Sequence, residues 1–363
     1  MPGPRPVGGR PGGALGGPGG DRLLGAPAPD VAGPRSRPPR TRHLLRCLLV
    51  TASVTVPVDR FEHEALFYRG DADFLAGLLP FIRDGLEHDE AVVVAEPRPR
   101  LEMLRDALGS DAGEVEFLDM AEIGANPGRI IGVWAAALDR HTSAGRRLRG
   151  VGEPAFPGRR TAELVECRLH ELLLNHAFDG GPGWRLLCPY DQEHLPRAVT
   201  QAALHTHPVR STSTTRLPSD AYAAGGHVAA FAEGLPEPAD AVLRGVYGAR
   251  DISATRHTVA QWARSCGLPE ERVEVLELAA SELATNSVRH GGGSGTLAMW
   301  LDRGAAVVQF SDSGTFTDPL TGRLSPPLDS EGGRGLYLVN QLCDLVQVRS
   351  SDQGTTVRVL TWF

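Results

Sequence analysis

The sequence contains no lysine, so all 37 of its basic residues are arginines. It has no run of about 20 uninterrupted apolar residues, the length that a membrane-spanning helix requires. Its five cysteines stand singly without a Cys-x-x-Cys pair, which argues against a zinc ribbon or a disulfide framework. The formal net charge is -7 and no basic face is evident, which disfavours direct binding of nucleic acid. We therefore expect a cytoplasmic protein without a membrane segment.

The first 58 residues differ from the rest of the chain. Residues 1–42 are rich in proline, glycine and arginine and have too few large apolar side chains to repay the entropy of ordering. Residues 44–58 are apolar and follow several arginines, which imitates a signal sequence. Because Arg46 interrupts this run and no convincing cleavage site follows, we interpret residues 1–58 as a disordered or mis-started tail.

Near the C-terminus, three polar segments occur in an order that suggests a nucleotide pocket. In the first, Glu282 and Asn286 are four residues apart in a helix-like stretch, so both side chains project from one face. The second is Asp312-Ser313-Gly314, just past a strand-like run, where a carboxylate can accept from an exocyclic amine such as that of adenine. The third is the glycine run at 332–335, which precedes an apolar, helix-compatible run and would turn backbone amides and a helix N-terminus toward an anion.

Each segment alone is more often a solvated helix face or a turn. Their conjunction within one domain-sized segment favours nucleotide binding. The surrounding pattern predicts a strand at 241–247, a helix at 252–266, a helix that ends at the glycines 291–293, a hairpin from 296–301 and 305–310, and two final strands within 345–363.

Residues 239–363 resemble the GHKL (Bergerat-fold) ATPases, and among them the anti-sigma-factor serine kinases of the RsbW type. The resemblance implies an α+β domain of two layers, with helices on a mixed sheet and ATP between them under a mobile lid. It also implies that Asn286 ligates Mg²⁺, that Glu282 is the general base and that Asp312 binds adenine. The remaining positions implied to contact ATP are Gly314, Gly332, Gly333, Gly335, Leu336 and Thr355.

The sequence departs from this family at Phe316, where a second glycine is common in the adenine motif. Residues 317–331 show no periodicity, and we interpret them as the lid loop.

Residues 59–210 predict a second domain, an α/β domain of three layers with a mainly parallel sheet, because strand and helix patterns alternate. The strands are expected at 65–68, 91–96, 115–119, 148–153 and 184–188, and the helices at 72–87, 98–108, 129–142 and 161–178. Residues 211–238 lack clear periodicity and are expected to be a linker, with a short helix at 220–233.

The sequence of this domain resembles the MEDS family of sensory domains, named after methanogen and methylotroph regulators. The matching segments begin at Phe61, Gly152, Glu166 and Leu187. The resemblance implies that the domain senses a small molecule or another signal, without fixing which. Residues expected to line one sensory pocket are His63, Glu153, Cys167, His170 and Asp191, although a buried cysteine or a helical histidine more often serves the core.

These patterns together predict a cytoplasmic switch protein whose sensory domain controls an ATPase domain. By resemblance it binds a sigma factor and phosphorylates a serine or threonine of a STAS-type anti-anti-sigma antagonist, and it forms a homodimer. Two alternatives stay open. One is a sensor histidine kinase that uses His170, although no dimerising helical hairpin precedes residue 239. The other is a module that binds ATP and a sigma factor without catalysis.

Overall fold

The computed structural model describes residues 60–239, 241, 243–316, 318–326 and 333–363, with the side chains of residues 243 and 244 excepted. The expected tail at 1–58 lies outside the described residues, and so do Gly332 and part of the expected lid loop. All described residues belong to a single compact unit.

Seven strands form the first sheet, in the order β3-β2-β4-β5-β1-β6-β7. They are β1 (Glu62–Tyr68), β2 (Ala91–Glu96), β3 (Val115–Asp119), β4 (Leu148–Gly152), β5 (Arg185–Asp191), β6 (Val209–Ser211) and β7 (Arg216–Pro218). Every neighbouring pair is parallel except β6 and β7, which are antiparallel. β2 and β4 are buried throughout, which explains why β2 forms a near-continuous apolar run in the sequence.

Helices cover both faces of the first sheet. They are α1 (Gly70–Glu87), α2 (Arg98–Leu108), α3 (Met120–Ile123), α4 (Ile130–Ser143), α5 (Thr161–Ala177), α6 (Arg197–Thr206) and α7 (Gly226–Ala232), with 3₁₀ turns at Gly109–Glu114 and Pro127–Arg129. Side chains of α1 and α2 pack with one face of β1 and β2, and those of α4 and α5 pack with the opposite face. The three-layer α/β architecture is therefore confirmed.

The region expected to be a linker, 211–238, contains more structure than its composition predicts. β7 pairs with β6 at the edge of the first sheet, and α7 buries Ala230 and Phe231 in the core. The expected short helix is present and spans Gly226–Ala232. The strands β6 and β7 were not predicted because each is only three residues long.

Five strands form the second sheet, in the order β11-β12-β10-β9-β8. They are β8 (Leu243–Gly248), β9 (Ser294–Asp302), β10 (Ala305–Asp312), β11 (Leu345–Ser351) and β12 (Gly354–Trp362). Helices α8 (Ile252–Ser265), α9 (Glu270–His290) and α10 (Arg334–Leu342) pack with one face of this sheet. The two-layer α+β architecture is confirmed, but the expected mixed sheet is wrong, because every pairing among the described strands is antiparallel. Hairpin connections between β9 and β10 and between β11 and β12 favour that arrangement.

The first domain covers part of the other face of the second sheet. There Ala162 of α5 packs beside a small apolar cluster. Its buried members are Ala298, Trp300, Ala305, Val307, Leu345 and Leu360. Among the described residues, no helix is both long and apolar enough to cross a membrane.

Candidate functional site

Helix α9 supplies one wall of the candidate site. Glu270 and Glu271 lie in its first turn and Arg289 and His290 in its last, which complements the helix dipole at both ends. Its apolar face is buried against the sheet, and the helix ends at Gly291. The four-residue spacing places Asn286 one turn beyond Glu282.

A cavity of about 310 Å³ lies between α9, the ends of β10 and β12, and α10. Of the residues proposed to bind the nucleotide, Asn286, Asp312, Gly314, Gly333, Gly335, Leu336 and Thr355 line it. Glu282 is not among the lining residues. Further lining residues are Leu283, Ser287, His290, Phe310, Thr315, Phe316, Thr321 and Val357.

The carboxylate of Asp312 is held in place at one end of the cavity. Its Oδ2 accepts a hydrogen bond from Ser287 Oγ at 2.6 Å, and its Oδ1 accepts one from the backbone N–H of Gly314 at 2.9 Å. The neighbouring backbone approaches too closely for any other residue type. A side chain at Gly291 would collide with the carboxyl group, and one at Gly354, where φ is 120°, would collide with the carbonyl of Asp312.

Behind Asp312, a chain of hydroxyl groups ties β11 and β12 to the following loop. Thr355 Oγ1 donates to the carbonyl of Gly314 at 2.8 Å and lies 2.9 Å from Ser350 Oγ. Ser350 Oγ accepts from the backbone N–H of Phe316 at 2.9 Å. Phe316, where the resemblance implies that a glycine is common, thus lines the cavity on a loop that is fixed by hydrogen bonds.

The opposite end of the cavity is formed by the N-terminus of α10. Gly333 precedes that helix with φ at 83°, a left-handed conformation that favours glycine. Gly335 lies directly against the carboxylate of Glu282, so a side chain at 335 would collide with it. Gly332 lies outside the described residues.

This arrangement fits an adenine nucleotide. A fixed carboxylate stands where an exocyclic amine could donate to it, and backbone amides at a helix N-terminus stand where phosphates could be bound. Asn286, whose amide oxygen is a ligand type suited to Mg²⁺, also lines the cavity. We did not predict Ser287 as a site residue, although it follows Asn286 directly and is four residues from Leu283 on the same face.

A buried ion pair joins the first domain to the second sheet. Glu166 of α5 is fully buried and accepts from Arg349 of β11 at 2.6 Å and from Gln347 at 3.2 Å. Arg323, in the expected lid loop, brings its guanidinium within 3.8 Å of the same carboxylate. One carboxylate of the first domain therefore contacts both the sheet and the loop of the second.

The first domain also contacts the C-terminal end of α10. Arg129 Nε donates to the carbonyl of Asn340 at 2.9 Å, and its Nη2 donates to that of Cys343 at 3.0 Å. Asn126 Nδ2 donates to the carbonyl of Asn340 at 3.0 Å, and Asn340 Nδ2 donates to the carbonyl of Gly322 at 3.0 Å. The described part of the lid loop is thus tethered, whereas the sequence predicts a mobile lid.

The five residues expected to line one sensory pocket make different contacts. Glu153 and Asp191 are buried at the carboxyl ends of strands β4 and β5, as predicted. Glu153 accepts from the hydroxyl of Tyr68 at 2.9 Å and interacts with the buried carboxyl of Glu96. Burial raises the pKa of Glu153 to about 7, and burial also raises the pKa of Glu96 well above its usual range.

Cys167 and His170 lie on α5. Cys167 Sγ donates to the carbonyl of Pro154 at 3.2 Å and borders a separate cavity of about 390 Å³. His170 is 1% exposed, and burial lowers the pKa of its imidazole to about 3. His63 contacts Glu171 and Cys188 instead. A single pocket that holds all five residues therefore stays a prediction.

Two family models match the chain, one for each domain. Residues 62–208 match MEDS, the methanogen/methylotroph DcmR sensory domain. Residues 248–361 match the histidine kinase-like ATPase domain. No curated protein matches the sequence.

Among solved structures, the chain is similar to the RsbU and RsbW domains of a Mycobacterium tuberculosis protein, with 17% identity and a TM-score of 0.25. This similarity covers 33% of the present chain and 32% of the other. An ATP synthase subunit, NeqB of Nanoarchaeum equitans, shows 9% identity and a TM-score of 0.31 over 62% of this chain and 64% of that one. The chain thus spans less than two thirds of either structure, and both similarities are too weak to define its fold or function.

Proposed function

Because the chain carries a MEDS sensory domain followed by a histidine kinase-like ATPase domain, we propose that it is a signal-responsive regulator that binds ATP and Mg²⁺ and acts on partner proteins. More specifically, we propose that it is a cytoplasmic anti-sigma factor and a serine/threonine kinase of a STAS-type antagonist. We also propose that it acts as a homodimer. The observation that carries the proposal is the cavity that has the fixed Asp312 carboxylate at one end and the N-terminus of α10 at the other.

In this proposal each end of the cavity has its own role. Asp312 accepts from the exocyclic amine of adenine, with Gly314 and Thr355 supporting that side. Asn286 holds Mg²⁺, and the amides around Gly333 and Gly335 face the phosphates. ATP supplies the phosphoryl group that is transferred. Phosphoryl transfer depends mainly on positioning and charge stabilisation, which fixed groups of this kind provide.

Glu282 is the residue we propose as the general base. Its carboxylate lies beside Gly335 at the N-terminus of α10, next to the proposed phosphate end of the cavity. From there it could orient a partner's hydroxyl group and accept its proton.

The structure favours a partner's hydroxyl over this chain's own histidine as the acceptor. His170 is 1% exposed within α5, so its imidazole has no access to a phosphoryl donor in the second domain. A sensor histidine kinase that uses His170 is therefore disfavoured.

Control by the first domain is supported by the contacts of Glu166 and Asn126. Both side chains are buried, and they reach the lid loop directly or through Asn340. A signal that displaced α5 or the 126–129 segment would change how the loop and α10 close the cavity.

The test uses the full chain and its Glu282→Gln variant. We expect wild type to transfer labelled phosphate from ATP to a STAS-type protein of the same host, and the variant to bind ATP with unchanged affinity but to transfer at least 100-fold less, in line with the loss of a general base. ATP binding without transfer by wild type to any serine-bearing partner would favour the non-catalytic binding module.

Partner capture tests the other half of the proposal. The full chain should retain a sigma factor or a STAS-type protein from a lysate of its host, and ATP should change the amount retained. Capture that is identical with and without ATP would contradict a nucleotide-dependent switch.

A further inference from the structure

Four side chains with metal-ligating atoms meet in the first domain, under helix α5. They are His63 of β1, Glu171 of α5, Cys188 of β5, and His207, which follows α6. Their ligand atoms all lie within 4.8 Å of one another. Each residue is at most 1% exposed. We call these four residues the buried cluster.

Four of the six distances within the buried cluster are close to those between ligands of one small ion, and all six are at most 4.8 Å. Glu171 Oε2 lies 3.0 Å from His63 Nε2 and 3.4 Å from His207 Nε2. Cys188 Sγ lies 3.4 Å from His63 Nε2 and 3.8 Å from Glu171 Oε2. Zinc bonds of about 2.0 Å to nitrogen or oxygen and about 2.3 Å to sulfur place tetrahedral ligands roughly 3.3–3.6 Å apart. Only small side-chain shifts would seat an ion.

The hydrogen bonds of Asn175 fix the tautomer of His63. Its Nδ2 donates to the backbone carbonyls of Glu171 at 3.1 Å and Thr206 at 2.8 Å, so its Oδ1 is the atom that faces the imidazole. His63 Nδ1, at 3.2 Å, must therefore donate to that oxygen. The other ring nitrogen, Nε2, is left to face the buried cluster.

His207 has the same arrangement. Its Nδ1 lies 2.9 Å from the carbonyl of Ala203, which can only accept, so Nδ1 carries the hydrogen. Its buried Nε2 has no hydrogen-bond partner and faces Glu171 Oε2. The Nε2 lone pairs of two imidazoles thus point at one carboxylate, so hydrogen-bond acceptors face one another, which is an unfavourable arrangement. A cation between them removes that conflict, and a second hydrogen bond that fixes the ring is usual for metal-bound histidine.

We propose that the first domain binds one divalent transition-metal ion, with Zn²⁺ as the best match, through His63, Glu171, Cys188 and His207. On binding, the Cys188 thiol releases its proton to solvent as the sulfur–metal bond forms. The resulting thiolate, one carboxylate and two neutral imidazoles balance the two positive charges of the ion. Because the site is fully buried, this neutrality avoids the cost of burying an uncompensated charge.

The donor set defines the class of metal. One sulfur, two nitrogens and one oxygen suit borderline ions such as Zn²⁺, Fe²⁺ and Co²⁺, whereas Mg²⁺ and Ca²⁺ prefer oxygen ligands. Tyr190 donates to Glu171 Oε1 at 3.1 Å, which leaves Oε2 for the ion. Glu171 and Tyr190 also border the cavity of about 390 Å³, which offers a path to the site.

The rival interpretation is an ion-pair network in which both imidazoles are doubly protonated and flank Glu171. It requires no metal and binds none. Metal binding distinguishes the two interpretations, and it can be measured without any activity of the ATPase domain.

The test is metal content and Co²⁺ spectroscopy on the full chain. We expect wild type, purified without chelators, to contain about one transition-metal ion per chain, and the Co²⁺-loaded form to show a thiolate-to-cobalt charge-transfer band. Cys188→Ser should remove this band and weaken Zn²⁺ binding at least about 100-fold. Asn175→Ala should weaken it about 10- to 100-fold, the usual effect of losing a group that orients a ligand.

Cys167→Ser is the matched control, because Cys167 is another buried cysteine, on α5, that lies outside the buried cluster. It should keep both the stoichiometry and the band. The proposal is overturned if wild type binds neither Zn²⁺ nor Co²⁺ stoichiometrically, or if the charge-transfer band survives in Cys188→Ser. If Cys188→Ser does not fold, as judged by circular dichroism, the wild-type spectrum and the Asn175→Ala affinity decide the matter.

Discussion

The two domains hold their polar groups in opposite ways. In the first domain, His63, Glu171, Cys188 and His207 are fully enclosed and come from β1, α5, β5 and the residue that follows α6. In the second, Asp312 stands at the wall of an open cavity and is surrounded by backbone that only glycine permits. The enclosed group depends on side chains that converge, and the open cavity depends on backbone shape.

This difference shows which kind of site a sequence reveals. A site built on backbone shape needs glycines at set positions, and their order can be read along the chain. A site built on converging side chains needs only that distant residues meet, and that depends on strand register and helix phase. The two domains that hold these sites contact each other through Glu166 and Asn126. Variants at these positions and within the sites test the contact and each site separately.

The largest expected effect comes from Glu166→Ala, which breaks the join between the domains. Removing this carboxylate leaves Arg349 and Arg323 buried without their partner, and loss of one member of a buried ion pair typically costs about 3–5 kcal/mol. We expect the free energy of unfolding of the full chain to fall by that amount in urea titrations. Glu274→Ala, on the exposed side of α9, is the control and should change it by less than about 0.5 kcal/mol. Equal losses in both variants would show that Glu166 has no special role.

The next largest effect concerns the open cavity. Asp312→Ala should weaken ATP binding roughly 10- to 150-fold, because a hydrogen bond to a charged group contributes about 1.5–3 kcal/mol. Titration calorimetry with ATP measures this. Asp352→Ala, in the exposed turn between β11 and β12, should leave the affinity unchanged. Unchanged affinity in Asp312→Ala would remove this carboxylate from the proposed adenine site.

A smaller effect is expected for Asn126→Ala, which tests the second contact between the domains. The variant leaves the buried amide oxygen of Asn340 and the N–H of Gly128 without a partner, which costs about 1–3 kcal/mol. Hydrogen exchange of the backbone of α10 should therefore become faster. Arg98→Ala removes two ion pairs at the surface, with Asp119 and Glu122, in which the arginine is 66% exposed, and should leave α10 unaffected.

The smallest expected effect is a pH dependence of the stability that the first domain contributes through Glu153. Burial raises the pKa of Glu153 to about 7 from an ordinary value of 4.5. Between these pH values the folded protein binds more protons than the unfolded chain, so stability should fall as pH rises, by less than about 1.4 kcal/mol per pH unit. The groups that act on Glu153 are Tyr68, Glu96, Arg100 and Asp191.

Urea midpoints measured near pH 5 and near pH 8 test this pH dependence. Wild type should be more stable at the lower pH, and Glu153→Gln should show a smaller difference. If wild type were instead more stable near pH 8 than near pH 5, and Glu153→Gln reduced that difference, the carboxyl group of Glu153 would be ionised in the folded protein.

Much of the fold could be predicted from the sequence. β2, α2 and β3 begin and end where the apolar pattern predicts, because apolar runs and helical spacing are local properties. The strands β6 and β7 were missed since each is three residues long, and β7 forms the edge of the sheet. The pairing in the second sheet was expected from resemblance to be mixed, and only the hairpin turns pointed to antiparallel strands.

The candidate sites were predictable to different degrees. Asp312, Gly314 and Asn286 come together at one cavity, where the order of motifs places them. In the first domain, the sequence pointed to Cys167 and His170, whereas Cys188 and Glu171 meet His63. β1 and β5 are buried on both faces, so no alternation of polar and apolar residues shows which side His63 and Cys188 share.

The absence of lysine has a consequence for the contact at Glu166. Both cations near that carboxylate are guanidinium groups, and even burial lowers the pKa of Arg323 only to about 10. A lysine in such a place could lose its proton and release its partner. Arg323 therefore keeps its charge at any physiological pH, and loss of its proton cannot weaken this contact. Reagents that modify lysine amines likewise find no side chain to react with at this contact.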